Sequence, residues 1–158
     1  MLMVETVVGN IHRDLGKEYE EMSHRGAVEK ISISRMESER VRMRKATDKG
    51  TDVALTLAPG SRLQHGDVLA KGERMIVVEI EPEKVAVVRL EDARTAILVG
   101  HAIGNLHRPI KIQGDNVYFP IQSDDEISLI QKQLAHVPGL KISSQTIVFE
   151  PEVAVHGH

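Results

Sequence analysis

The sequence predicts an α+β protein: a small all-β domain of barrel or sandwich type, then a ferredoxin-like βαββαβ domain, then a short flexible tail bearing histidines. Three observations predict it. Apolar residues alternate with polar ones through most of the first half, the period of two that a half-exposed strand needs. Helical stripes enter only after the acidic, proline-bearing stretch EIEPE, Glu79 to Glu83. From there strands and helices follow in the order β-α-β-β-α-β. The expected domains are residues 1–78, 79–150 and a tail over 151–158.

In the first half, VETVVGNI reads as a strand with a Gly-Asn stop. AVEKISIS sets Val28, Ile31 and Ile33 against polar neighbours, and RVRMRKAT sets Val41, Met43 and Lys45 against arginines. Asp48 to Gly50 supplies hairpin chemistry. TDVALTL alternates Val53, Leu55 and Leu57, and DVLA and RMIVVEI follow as strands between turns. After the boundary, KVAVVRL is a strand. EDARTAILVGHAIGN carries Ala93, Ala96, Ile97, Gly100 and Ile103 as a helical stripe, expected to end in the left-handed conformation at Gly104-Asn105. RPIKIQ and VYFPI are strands around a GDN turn. Ser123 and Glu126 form a capping box before a helix with Ile127, Ile130, Leu134 and Val137 on one face. Pro138-Gly139 stops that helix, and SQTIVFE is the last strand.

Composition narrows the function. The 158 residues are 41% hydrophobic but only 3% aromatic, with no Trp, so the core rests on aliphatic side chains and two small cores gain from oligomerisation. A formal net charge of −3 with mixed signs argues against nucleic acid, as does the lack of an aromatic platform. The absence of Cys excludes disulfides, thiolate metal sites and Cys nucleophiles. No apolar run approaches the roughly 20 residues of a transmembrane helix. MLMVETVVGN lacks a basic leader and cleavage site, so a cytoplasmic protein with no membrane partner is expected. No phosphate loop, zinc-protease helix or nucleophile elbow is present, and no enzyme is expected.

The chain holds eight histidines, two of them in GHAIGNLHRP, Gly100 to Pro109. His107 follows a helix end, whose partial negative charge favours a nearby cation, and precedes Pro109, which stiffens the chain. Imidazole is a good ligand for nickel, copper and zinc. The residues alone leave two readings open: a metal ligand, or a polar loop histidine without a role. One ligand becomes two if the chain is a twofold dimer with His107 near the axis, and Ala93, Ala96 and Gly100 would let two helices approach. His156 and His158 form an HGH ending able to chelate a metal loosely or to serve as an ordinary polar end. His101 is a possible neighbour of the site. His12, His24, His65 and His136 read as isolated surface or turn residues. Arg108 is an anion contact or a strand-edge charge, unfavourable beside a bound cation unless it points away.

IGNLHRP, between a helix and a strand, resembles the GNRH-type motif of the UreE urease accessory protein family. GTDVALTL, LQHGDVL, EPEKVAVVRL and FEPEVAVHGH, in that order, are similar to segments along nearly the whole length of that family. The resemblance implies a nickel metallochaperone with a peptide-binding-like N-terminal domain and a ferredoxin-like C-terminal domain. It implies dimerisation through the second domain, with His107 of both subunits binding Ni(II) and His156 and His158 adding ligands. It further implies delivery to the urease apoprotein in concert with an accessory GTPase. Leu106 stands where Arg is usual, and NVYFPI lacks the histidine pair that some members carry there. The tail has two histidines rather than a long run, so few ions per dimer are expected. Zn(II) or Cu(II) could substitute for nickel, and metal could join dimers into a higher oligomer. Binding is expected to weaken as pH falls through the histidine range near about 6.5. The alternative is a chaperone-like adaptor that binds peptide or protein without delivering metal.

Overall fold

A computed structural model describes residues 1–152, so His156 and His158 lie outside the described residues. The chain forms two compact units, Met1–Glu81 and Pro82–His158. The fold is α+β, with a β-rich first unit and a βαββαβ second unit.

The first unit holds two sheets. One has the order β1-β5-β4, built from Leu2–Val4, Asp52–Thr56 and Arg42–Ala46. The other has the order β2-β6-β7-β3, built from Gly9–Asn10, Asp67–Lys71, Met75–Ile80 and Val28–Ile33. VETVVGNI is therefore not one strand. The chain leaves the first sheet after Val4 and joins the second at Gly9, with Val8 already donating its N–H to the Val68 carbonyl at 2.8 Å. β4 and β5 pair antiparallel across the hairpin that ends at Gly50, which has φ +87°. Their alternation is as the sequence predicts, with Val53 and Leu55 buried.

Two features of this unit differ from the reading of the sequence. A helix, α1 (Gly16–His24), sits between β2 and β3. It buries only Met22 completely, so its pattern carries little apolar periodicity. In β3 the inward face is Glu29, Ile31 and Ile33 rather than Val28, Ile31 and Ile33, in keeping with a strict period of two. Glu29 is only 1% exposed. It accepts hydrogen bonds from the hydroxyls of Thr47 and Thr51 and pairs with Arg74 at 3.3 Å. These bonds, the Thr47 one first, hold its carboxyl below the usual carboxylate range, outweighing the opposing effect of burial.

The second unit runs β8 (Glu83–Arg89), α2 (Ala93–Asn105), β9 (Lys111–Gln113), β10 (Asn116–Pro120), α3 (Asp125–Gln133), β11 (Ile142–Ile147). Its sheet has the order β11-β8-β10-β9, with every neighbouring pair antiparallel. Alternate residues go to opposite faces. Ala86 and Val88 of β8, with Val117 and Phe119 of β10, pack under the helices against Val99, Ile103, Ile130 and Leu134. Val85 and Val87 point the other way and cluster with Phe149, Tyr118 and Ile147. Of the predicted α3 face only Ile127 and Ile130 lie on the helix, which ends at Gln133 rather than at Pro138-Gly139; Leu134 and Val137 pack on the same core from the segment after it. The capping box is not formed: the Ser123 hydroxyl caps nothing among the described bonds, while Glu126 Oε1 accepts the Gln122 N–H at 3.0 Å.

Candidate metal centre

α2 begins where Asp92 accepts the Thr95 N–H at 2.7 Å, a side-chain cap on an otherwise unsatisfied donor. That bond holds the Asp92 carboxyl below its ordinary range. The buried face of the helix is Thr95, Val99 and Ile103, with Leu98, Ala102 and Leu106 also packed on the core. The predicted stripe is thus largely the outward one. Ala93, Ile97 and Gly100 are exposed, Ile97 by 71%, and only Ile103 of that set is fully buried. α2 is apolar on both faces, so periodicity alone did not say which one packs. Ala93, Ile97, Gly100 and Gly104, spaced by four, three and four, form an exposed row of small and apolar residues. A Cβ added at Gly100 or Gly104 would meet nothing within 4 Å. His101, four residues after Ile97, lies exposed beside the same row.

The helix ends at Asn105, where the sequence predicts its end, but neither Gly104 nor Asn105 is left-handed. Both residues belong to its last turn, and the left-handed residue is His107 itself, with φ +53°. It is the one non-glycine residue with positive φ among those described. Histidine enters this region more readily than most residues, yet the conformation still costs energy. The last turn tightens as Leu106 and His107 donate to the Ile103 and Gly104 carbonyls at 3.0 and 3.1 Å. On either side of the corner, Leu106 and Ile110 pack into the core. His107 between them is left exposed, at the carbonyl end of the helix.

Arg108 turns inward. Its Nη1 donates to the Pro120 carbonyl at 2.7 Å and lies 2.8 Å from Glu126 Oε2. Its charge is neutralised by α3, and the pair ties the corner to the start of that helix. The sequence had not linked Arg108 to Glu126, because the pattern pointed Glu126 to a cap. Downstream, Glu152 donates its N–H to the Ile110 carbonyl at 2.8 Å, and its Oε1 accepts the Ile112 N–H at 3.2 Å. No sequence pattern announces that link.

The remaining histidines divide. His24 and His136 are exposed. His65, read as isolated, is not: its Nδ1 accepts the Ile80 N–H at 3.0 Å, and its ring stacks on His12 at 5.7 Å between centroids. Among the described residues no three His, Asp or Glu side chains gather closely enough to hold a metal ion. A shell built on His107 therefore needs ligands from residues 153–158 or from a second copy. In the first unit a cleft of about 380 Å³ is lined by Glu5, Thr6, Val7, Leu57, Ser61 and Arg62, among others. No helix of the described residues is long and apolar enough to cross a membrane.

Comparison with known proteins covers both units. Residues 4–81 match the N-terminal domain of the UreE urease accessory protein, and residues 83–158 match its C-terminal domain. The chain is 30% identical to urease accessory protein UreE 1 of Pseudomonas syringae pv. tomato over 79% of its own length and 87% of that protein. It is 32% identical to urease accessory protein UreE of Actinomyces naeslundii, over 82% and 79% of the two chains. With UreE of Natronomonas pharaonis it shares 33% identity, over 80% and 63%. This chain belongs to the UreE urease accessory protein family.

Proposed function

We propose that this protein is a cytoplasmic nickel metallochaperone, not an enzyme, that carries Ni(II) to the urease apoprotein together with an accessory GTPase. The ion is held between two copies of the chain by His107 of each subunit. His156, His158 and water complete the shell, with His101 as a possible neighbour. Residues 1–78 serve as the peptide-binding-like domain and residues 79–150 as the metal-binding domain.

One observation carries the reading. His107 stands exposed on a braced left-handed corner, beside an exposed row of small residues on α2. A twofold contact along that row would repeat the corner and supply a second imidazole. An exposed site with few protein ligands exchanges its ion readily, as a carrier requires. Zn(II) and Cu(II) compete for the same nitrogens, so selectivity lies in geometry and supply.

Titration calorimetry with nickel tests this. His107→Ala should abolish most of the tight binding, and removal of Val155 to His158 should lower affinity or stoichiometry only. Tight binding that survives His107→Ala refutes the assignment. A monomer by light scattering, with and without nickel, refutes the shared site. The cleft in the first unit favours a second reading, an adaptor that binds peptide and carries no metal. That protein would show no rise in thermal stability with nickel, whereas an ion bound only by the folded state raises it.

A further inference from the structure

The last described residues cross the second unit from one side to the other. β11 is one edge of the sheet and β9 the other, with β8 and β10 between them. Ile147 closes β11, yet Glu152 is hydrogen-bonded to Ile110, next to β9. Three strand spacings come to about 14 Å, which the five steps from Ile147 to Glu152 cover only when nearly extended, at about 3.3 Å each. Phe149 anchors the middle of this path. It is fully buried against Val85 and Val87, on the face of the sheet opposite the helices. Pro151 fixes its own φ and needs no hydrogen-bond acceptor. Glu152 closes the crossing twice over, through its N–H and through its carboxylate. Both bonds satisfy backbone groups at a sheet edge that would otherwise face water.

We infer that Phe149 to Glu152 form a strap, fastened by Glu152, that positions the C-terminal histidines for the ion held at His107. The inference rests on the proposed function above. The strap is fastened at Ile110, three residues from His107. Beyond it, four steps lead to His156 and six to His158, a reach of at most about 14 and 21 Å. Without the two Glu152 bonds, the tether to His158 would begin at Phe149, on the far side of β8 and β10 from Ile110, and be nine steps long. Shortening a tether raises the effective concentration of its end at a nearby site. Glu152 is thus a positioning residue and does not touch the ion.

The chain has no Cys, so Gly157→Cys gives a single attachment point for a nitroxide. In the metal-free protein this label should broaden the amide resonances from His107 to Ile112. Glu152→Pro removes both the N–H and the carboxylate, and should reduce that broadening about threefold or more. Glu152→Gln keeps the N–H and an acceptor oxygen, and should preserve the broadening. Equal broadening with and without Glu152→Pro, or none in either, overturns the strap. Nickel calorimetry gives a second reading. Removing residues 153–158 should weaken binding about tenfold in the natural chain but about twofold or less in Glu152→Pro. The same loss in both backgrounds, or no loss in either, also overturns the strap. Unweakened binding in His107→Ala would instead overturn the carrier reading, and the metal-free label experiment would still decide the strap.

Discussion

The two units treat the same residue types in opposite ways. In the first unit polar side chains are drawn inward and used by their own chain. Glu29 serves two threonine hydroxyls and Arg74, Asn10 Nδ2 donates to Asp67 at 3.0 Å, and His65 accepts a backbone N–H. In the second unit the helix-covered core is apolar but for Thr95 at its margin, and the two α2-side histidines, His101 and His107, stand at the surface. Two sets of glycines differ in a similar way. Gly66 has φ +86°, and a Cβ there would lie 2.6 Å from the His12 ring, so its own surroundings demand glycine. Gly100 and Gly104 meet no such demand. A histidine or glycine explained by its own unit is structural. One left unexplained by its unit directs attention to something outside it.

Substitutions can break this contrast or sharpen it. The largest expected effect is at Glu29. Glu29→Ala strands the buried Thr47 hydroxyl and removes the Arg74 partner, and should destabilise the first unit by about 3 kcal/mol in urea unfolding. A loss near zero would mean that the buried carboxylate is replaceable. Gly66→Ala forces a left-handed alanine into the His12 ring and should cost about 1–2 kcal/mol. It should also disturb the His12–His65 stack, visible as shifted imidazole resonances. Gly104→Ala should act in the reverse direction, stabilising an isolated chain by about 0.5–1 kcal/mol through helix propensity. If two copies meet along α2, the same methyl should weaken their association in sedimentation. Stabilisation with unchanged association would place the contact elsewhere.

Acid provides the mildest test. Glu29, Glu37 and Asp92 all have carboxyls held below their ordinary range, chiefly by bonds from the Thr47 hydroxyl, the Ser34 N–H and the Thr95 N–H respectively. A depressed folded-state value contributes stability above the unfolded value, near about 4, and that stability is lost as pH falls through the folded value. Both units should therefore weaken below about pH 4. The first unit should lose more, because its carboxylate is buried. Hydrogen exchange resolved by residue would show whether amides of β3 and β4 lose protection before those of α2.

Much of this architecture is legible in the sequence because burial leaves a period. The alternation of Val53, Leu55 and Leu57 and the order of elements after Glu83 suffice for the strands and for the second unit's plan. What periodicity misses has a physical cause in each case. α1 hides because a surface helix with one fully buried residue has no stripe. The phase of β3 is misread because its inward face includes a carboxylate, held there by partners far along the chain. α2 is apolar all round, so its packed face is ambiguous. The exposed corner at His107 is legible, but its left-handed backbone is not, because Gly104 and Asn105 are better residues for that conformation. Arg108, Glu126 and Glu152 brace the corner through contacts between distant positions, which no local pattern encodes.

The braced corner has a consequence for how an ion would leave it. Arg108 is tied to Pro120 and Glu126, Leu106 and Ile110 are packed, and Pro109 restricts the chain. The backbone beneath the ring is fixed, so capture of a metal orders only the side-chain torsions of His107 and release frees only those. Relaxation of the corner would therefore contribute almost nothing to unloading. In the proposed carrier, hand-over would be eased instead by a competing donor atom from the recipient reaching the exposed ion, an associative ligand exchange.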